Sequence, residues 1–311
     1  MTVSRFLNKP EMLRPATRAV VERAIQELRF VPNEAARSLI SGRTNTVALI
    51  VADITNPYFT TLARGVEDAA AALALTLILG NTDERLDKED RYLHTLAARR
   101  VDGVILSPAR GERHDFGELA RWDIPIVLID RRVPDAAADF LTSDSFDGGR
   151  QLTAHFLARG CRDVVFIGGP PGVTSLEDRA AGYRAVMQES GLTPTTHFGR
   201  YDRHSGEEIV DRLAAAGPMP RGIIAANNLV AVGAITALRR HGLRVPEDVA
   251  LGCFGDIELA ASIDPFLTVV AHPAYEIGRT AMQMLAERMT GFAGPPRERM
   301  LPVELIVRRS A

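Results

Sequence analysis

Val47-Ala48-Leu49-Ile50-Val51 is an unbroken apolar run that follows Thr46, and from this point onward its pattern repeats. Comparable runs recur at Thr76–Leu79, Val101–Leu106, Ile126–Ile129, Val164–Ile167, Gly222–Ala226, Val249–Phe254 and Leu267–Ala271. None of them alternates with polar residues, which suits strands buried on both faces of a parallel sheet. Amphipathic stretches lie between them. Asp87–Arg100 gathers Tyr92, Leu93, Leu96 and Ala97 on one side, and Leu229–His241 gathers Val232, Ile235, Thr236 and Leu238, with Gly242 placed to terminate it. Strand and helix alternating at a repeat of roughly 25 residues predicts a doubly wound α/β fold. The length admits two such halves, with a changeover near 143–149 and another near 272–276. Ligands of such sheets bind beyond the carboxyl ends of the strands, so the residues just after each run are the ones to inspect.

The first 44 residues differ. Thr17 reads as the cap of a helix with Val20, Val21, Ala24, Ile25 and Leu28 on one face. Pro32 breaks it, and Asn33 can cap a second helix over Glu34–Ile40. Residues 1–45 hold eight Lys/Arg against four acids, a net of +4, while the remainder holds 29 against 35 within an overall charge of −2. A basic head on an acidic body suits a polyanionic partner for the head, and charge alone fits a solvated surface equally well.

Other classes find little support. No apolar stretch is long enough to span a bilayer, and no secretory signal opens the chain. Cys161 and Cys253 lie far apart in apolar surroundings and read as reduced, buried thiols. Gly168-Gly169-Pro170-Pro171-Gly172 follows a strand, but its two prolines remove the N–H donors that a phosphate cradle needs. Hydrolase and metalloprotease motifs are absent, and the seven histidines show no metal-ligand spacing. Neither catalysis nor a cofactor nor a metal is expected.

One set of fragments resembles the lactose-repressor/galactose-repressor family of bacterial transcription regulators along the full chain. The head carries Thr2-Val3-Ser4-Arg5, Leu7-Asn8, Thr17-Arg18, Val31-Pro32-Asn33 and Ala35-Ala36-Arg37-Ser38-Leu39. The body carries Asp53-Ile54-Thr55-Asn56-Pro57-Tyr58-Phe59, Arg99–Gly103, Ile129-Asp130-Arg131, Arg179 with Gly182-Tyr183, Phe254, Asp256-Ile257 and Pro273–Gly278. The resemblance implies a small, incomplete all-α helix-turn-helix head with a hinge helix (1–44). It implies a two-lobed, periplasmic-binding-protein-like effector and dimerisation body (45–311). It further implies a cytoplasmic homodimer with no membrane partner that binds operator DNA and is switched by a small carbohydrate-like effector. A stand-alone sugar-binding protein with a vestigial head is the alternative.

By this resemblance, Thr2 and Ser4 contact phosphate, Arg5 reaches base edges, and Asn8 and Ala36 share the DNA-facing set. Asn33 meets the backbone at the hinge, and Leu39 wedges between base steps; taken alone, Leu39 reads as helix-face burial. Family members place one more helix and a turn before Thr-Val-Ser-Arg. The head is therefore expected to be incomplete, either because the reading frame starts upstream of Met1 or because the protein is shortened and binds DNA poorly. In the body the implied effector contacts are Asn56, Tyr58, Phe59, Asp130, Arg131, Arg179, Asn227, Phe254 and His272. A lone Asp or Arg at such places is more often a surface ion-pair partner. Gly255 stands where the family has an acid, and His272 where glutamine is common. Asp130, Arg131 and Arg179 then sum to +1, to which a protonated His272 adds, so an anionic effector (a sugar acid or sugar phosphate) is expected over a neutral sugar.

Overall fold

The computed structural model describes residues 6, 10–28, 42–110 and 114–311. The chain divides into two compact units, Met1–Thr44 and Asn45–Ala311. In the first, a 3-10 turn at Pro10–Met12 precedes helix α1 (Pro15–Glu27). Pro15 occupies the first helical position, where its missing N–H has no partner to lose. Thr17 therefore falls inside the first turn and is not the cap. Arg14 holds the cap position without a side-chain bond. Of the expected apolar face, Val21 is buried and Ala24 and Ile25 are half-buried, but Val20 and Leu28 stand 67% and 78% exposed. The helix over Glu34–Ile40 and the DNA-facing residues Thr2, Ser4, Arg5, Asn8, Asn33, Ala36 and Leu39 lie outside the described residues.

The second unit is two lobes. The first holds β1 (Thr46–Val51), α2 (Pro57–Ala72), β2 (Thr76–Asn81), α3 (Leu86–Ala98), β3 (Gly103–Leu106), α4 (Gly117–Arg121), β4 (Ile126–Ile129) and β5 (Asp139–Ser143). The chain then enters the other lobe through α5 (Ser145–Ala158), β6 (Val164–Gly168), α6 (Thr174–Glu189), β7 (Thr195–Phe198) and α7 (Arg203–Ala216). That lobe continues with β8 (Gly222–Ala225), α8 (Asn228–Arg240), β9 (Ala250–Phe254), α9 (Glu258–Ile263) and β10 (Thr268–Ala271). Helix α10 (Ala274–Met289) packs back on α2, β11 (Glu298–Leu301) joins the first sheet, and β12 (Glu304–Ile306) ends in the second. The sheet orders are β11-β5-β4-β3-β1-β2 and β12-β10-β9-β8-β6-β7, parallel throughout except for β12. Both lobes are thus wound alike, each reversing direction beside its first strand, where a crevice opens at the carboxyl ends.

All eight apolar runs form strands. Three crossings join the lobes, at Ser143–Ser145, Ala271–Ala274 and Leu301–Glu304, and the third has no counterpart in the sequence pattern. The runs do not, however, all lie buried on both faces. β2 is an edge strand whose Ile78 and Leu79 remain 36% and 44% exposed, with no further strand of the described residues pairing along that margin. Helix α8 ends as its sequence indicates: Gly242 takes φ +72°, and the N–H groups of Gly242 and Leu243 return to the carbonyls of Arg239 and Leu238.

Four strands escape an apolar-run search. β7, β11 and β12 are edge strands with exposed positions. β5 is wholly buried yet begins with Asp139 and ends with Thr142-Ser143. Its buried charge is matched by tertiary partners. Asp139 Oδ1 accepts from Arg288 Nη2 at 2.6 Å and from the Arg297 N–H at 2.8 Å, and Oδ2 accepts from Arg297 Nη2 at 2.7 Å. Burial alone would raise its pKa, but these bonds win and lower it from 3.8 to about 2.

Helix pairs in both lobes meet at mutual glycines. A methyl group on Gly149 of α5 would strike the Arg179 carbonyl of α6, and one on Gly182 would strike the Phe146 carbonyl. Gly65 and Gly278 play the same part for α2 and α10, as do Gly206 and Gly233 for α7 and α8. The α5–α6 crossing matters for the cleft described below, because it sets the backbone of Arg179.

Two outcomes are expected. Asp139→Asn should cost about 2 kcal/mol at pH 7, the free energy of a shift of that size. Because the folded pKa is depressed, the loss should be full above pH 3.8 and shrink as pH falls toward 2, which denaturant titrations across that range will measure. Gly182→Ala should cost roughly 1–3 kcal/mol through forced separation of α5 and α6, seen as a lower Tm with native secondary structure retained.

Candidate functional site: the cleft between the lobes

The carboxyl ends of the two sheets face each other across a cleft of about 480 Å³. Its walls are the residues that follow the strands: Asp53 after β1, Asp83 and Glu84 after β2, Arg110 after β3, Asp130 and Arg131 after β4. From the other lobe come Pro170 after β6, Arg200 and Tyr201 after β7, Asn227 after β8, Phe254 at the end of β9 and His272 after β10. All nine residues expected from the sequence, Asn56, Tyr58, Phe59, Asp130, Arg131, Arg179, Asn227, Phe254 and His272, line this one space.

Their roles differ once partners are counted. Asn56 caps α2, its Oδ1 accepting the Tyr58 N–H at 3.0 Å, and the same oxygen accepts from Asn228 Nδ2 of the opposite lobe at 3.4 Å. A second bond between the lobes runs from the Arg132 N–H to Thr174 Oγ1 at 3.0 Å. Phe59 is 4% exposed and belongs mostly to the first-lobe core, with Tyr58 edge-on to it at 5.1 Å. Asn227 caps α8, so its Oδ1 is spent on the Val230 N–H at 2.8 Å, and its Nδ2 lies 3.5 Å from the Tyr201 carbonyl. Arg179 sits in the second turn of α6, not at its start, and lies over Phe254 with its guanidinium carbon 5.0 Å from the ring centre.

The charge inventory departs from the one read in sequence. Arg131 is gripped by Glu84 through two bonds of 2.6 Å, with the Pro108 carbonyl taking a third at 2.9 Å. Burial opposes its charge, but Glu84 outweighs that and keeps Arg131 firmly protonated. Glu84 arrives there because the turn after β2 takes positive φ at Asp83 and Glu84, +51° and +58°. His272 is held neutral, first by burial and then by Arg179, so it adds no positive charge. Asp256 points elsewhere, its carboxylate bound by both terminal nitrogens of Arg308. Around the cleft Asp53, Asp83, Glu84, Asp130 and Asp202 face Arg110, Arg131, Arg179 and Arg200. The surplus of positive charge behind the anionic-effector expectation is therefore absent.

Sequence reasoning missed Tyr201 and Asn228, which with the expected Arg131 keep unused hydrogen-bonding capacity. Tyr201 Oη, Asn228 Oδ1 and Arg131 Nε are buried without a hydrogen-bond partner, and all three residues line the cleft. Arg131 Nε lies 3.5 Å from Asp130 Oδ2, outside bonding geometry. Asp130 is itself buried, which raises its pKa against the pull of Arg131 and Arg179. Polar atoms without partners in a cleft also lined by Tyr58 suit a small polar ligand with apolar faces. Among the described residues no cluster of His, Cys, Asp or Glu could hold a metal ion. Cys253 is buried and Cys161 only half-buried, both as free thiols.

Residues 153–311 match the periplasmic binding protein-like domain, and residues 1–33 match the bacterial regulatory proteins of the lacI family. The ribose operon repressor of Halalkalibacterium halodurans is 33% identical over 99% of this chain and 92% of its own length. The HTH-type transcriptional regulator DegA of Bacillus subtilis is 32% identical over 99% and 93%. Among solved structures, the transcriptional regulator CelR–cellobiose complex superposes with a TM-score of 0.79 at 30% identity, covering 99% of this chain and 94% of that one. A LacI family transcriptional regulator from Enterococcus faecium with bound ribose gives 0.78 at 26%, covering 86% and 98%. With a body wound as two like lobes around one cleft, and with similarity along nearly its whole length, the chain belongs to the lacI family of bacterial regulatory proteins.

Proposed function

We propose that this regulator binds a neutral, sugar-like effector in the cleft between its lobes and operator DNA through residues 1–44, as a cytoplasmic homodimer with no catalytic role. The observation that carries the effector reading is that Tyr201 Oη and Asn228 Oδ1, in residues that line the cleft, are buried without a hydrogen-bond partner, and that Arg131 Nε has nothing nearer than Asp130 Oδ2 at 3.5 Å. Leaving such atoms unpaired is costly, and hydroxyl groups that both donate and accept would satisfy them. The cleft's volume lies in the range that encloses a small ligand. Tyr58 offers an aromatic surface to its C–H groups, whereas Phe254 is only 1% exposed, with Arg179 and His272 against its ring, and backs the wall from behind; Asp130 and Arg179 offer an acceptor and donors to its hydroxyls. The near balance of carboxylates and guanidinium groups favours a neutral ligand over an anion. Ribose named for the relatives, and bound in one of the solved neighbours, makes D-ribose the first probe.

The DNA reading rests on the lacI match to residues 1–33, on the net +4 of residues 1–45 and on the family pattern of Thr2, Ser4, Arg5, Asn8, Asn33, Ala36 and Leu39. The dimer reading rests on exposed apolar side chains: Leu73, Ile78 and Leu79 around the uncovered β2 edge, and Leu259 and Ile263 on α9. A bare edge strand with apolar residues invites pairing, and a two-fold dimer presents two heads to a pseudo-palindromic operator. Effector and operator then favour different arrangements of the lobes, so each alters the other's affinity.

Calorimetry with D-ribose, ribonate and ribose 5-phosphate tests the effector. Binding of the neutral sugar is expected, with Tyr201→Phe weakening it about tenfold, about 1.4 kcal/mol for one lost hydrogen bond at a buried site. Binding of the acids alone would overturn the reading. Ile78→Lys should convert the dimer to monomer in sedimentation velocity, with the circular dichroism unchanged; an unaltered sedimentation coefficient would place the interface elsewhere.

A further inference from the structure

We propose that His272 is a positioning residue: Ser143 locks its ring, and its Nε2 lone pair holds Arg179 in place, so the imidazole itself offers no hydrogen bond to the effector. This rests on the reading of the cleft as an effector site and assigns His272 a different task within it from ligand contact.

His272 lies in the Ala271–Ala274 crossing, directly after β10. Its Nδ1 is 2.8 Å from Oγ of Ser143, the residue at which β5 leaves for the other lobe. Its Nε2 is 3.3 Å from Arg179 Nη2. A guanidinium can only donate, so Nε2 must accept, and the ring proton then resides on Nδ1 and is given to Ser143. Both polar atoms of the ring are thereby used. Phe254 stacks on the ring at 6.0 Å and Tyr58 meets it edge-on at 5.6 Å, so the ring, half-buried, still lines the cleft by its apolar surface. The ring links two of the three crossings and the second-lobe helix α6.

Arg179 depends on that link. It is 8% exposed, and no carboxylate of the described residues pairs with it. Its N–H groups go to the Ala226 carbonyl at 2.8 Å, to Ser145 Oγ at 3.4 Å and to His272. That uses three of the five donors of a guanidinium and leaves two for a ligand. Without the His272 acceptor the fork loses one of three anchors and its aim into the cleft.

The groups facing the imidazole are Arg179 from α6, Tyr58 from α2, Ser143 from β5 and Phe254 from β9, with Asp130 beyond Tyr58. A proton on Nε2 would direct an N–H at the guanidinium. Burial and Arg179 accordingly hold the pKa well below 6.5. The unfolded chain takes up that proton near pH 6.5 and the folded chain does not, so stability falls as pH drops below that value. Glutamine at this position would still accept from Arg179 but would not titrate.

Long-range proton–nitrogen correlation spectra of the full chain labelled at histidine nitrogen test this without any ligand. The neutral Nδ1–H form is expected from about pH 8 to about pH 6, and Arg179→Met, which frees Nε2 from its donor, should let the Nε2–H form appear. An Nε2–H ring in the unaltered protein, or an imidazolium at about pH 6.5, would overturn the proposal. Calorimetry with D-ribose adds the functional arm. His272→Ala should weaken binding about tenfold, whereas His272→Gln should stay within about twofold and show less loss of stability on acidification. Equal weakening by both variants would also overturn it. Should D-ribose fail to bind the unaltered protein, the effector assignment falls, while the tautomer spectra still decide the role of His272.

Discussion

A guanidinium buried at the seam between two sheets needs negative charge or oriented dipoles around it, and at Arg179 the surroundings supply dipoles. A carbonyl, a hydroxyl and an imidazole hold it, with the face of Phe254 beneath. Much of the neighbouring chemistry follows from that arrangement. His272 must stay neutral to serve as an acceptor. Asp130, near enough to be stabilised by Arg179 but not paired with it, stays available to the cleft. Arg131 has its charge balanced by Glu84 through its two terminal nitrogens, which leaves only its Nε turned to other partners. The result is a site in which one cation keeps free donors and several polar atoms lack partners. Such a site is incomplete until a ligand closes it, which is what a sensor requires.

The lobes meet through few direct bonds. Asn56 to Asn228 and Arg132 to Thr174 bridge the cleft, and three crossings carry the chain. A ligand that touches both lobes stabilises whichever arrangement gives it the better contacts with both. The mutual glycines of α5 and α6 tie helices together within the second lobe, and the bonds from Asp139 to Arg288 and Arg297 do so within the first.

Most of this scaffold was legible in the chain because buried parallel strands must be apolar on both faces, and Val47–Val51 or Val164–Ile167 have no other use for such runs. Strand β5 was not legible: Asp139 looks like a surface residue until Arg288 and Arg297, some 149 and 158 positions away, are folded against it. Tyr201 was missed for the same reason at one remove, since it follows β7, a short polar edge strand. Asn228 hides behind Asn227, and only the cap geometry shows which of the two keeps a free oxygen. The nine expected cleft residues were found through resemblance to a family and by their place after strands, and the structure brings all nine to one space. Their charges were misjudged because pairing is tertiary. Glu84 reaches Arg131 through a turn with positive φ at two non-glycine residues, which no local pattern announces.

A crystal structure of the protein grown with the sugar that stabilises it would show which atoms of the cleft the ligand completes. Ligand oxygens are expected within about 3 Å of Tyr201 Oη, Asn228 Oδ1, Arg131 Nε and Arg179, with Nε2 of His272 still on Arg179 and no ligand atom bonded to the imidazole. A ligand bonded to His272 in place of Arg179, or seated outside the cleft with those three atoms still unpaired, would contradict this arrangement.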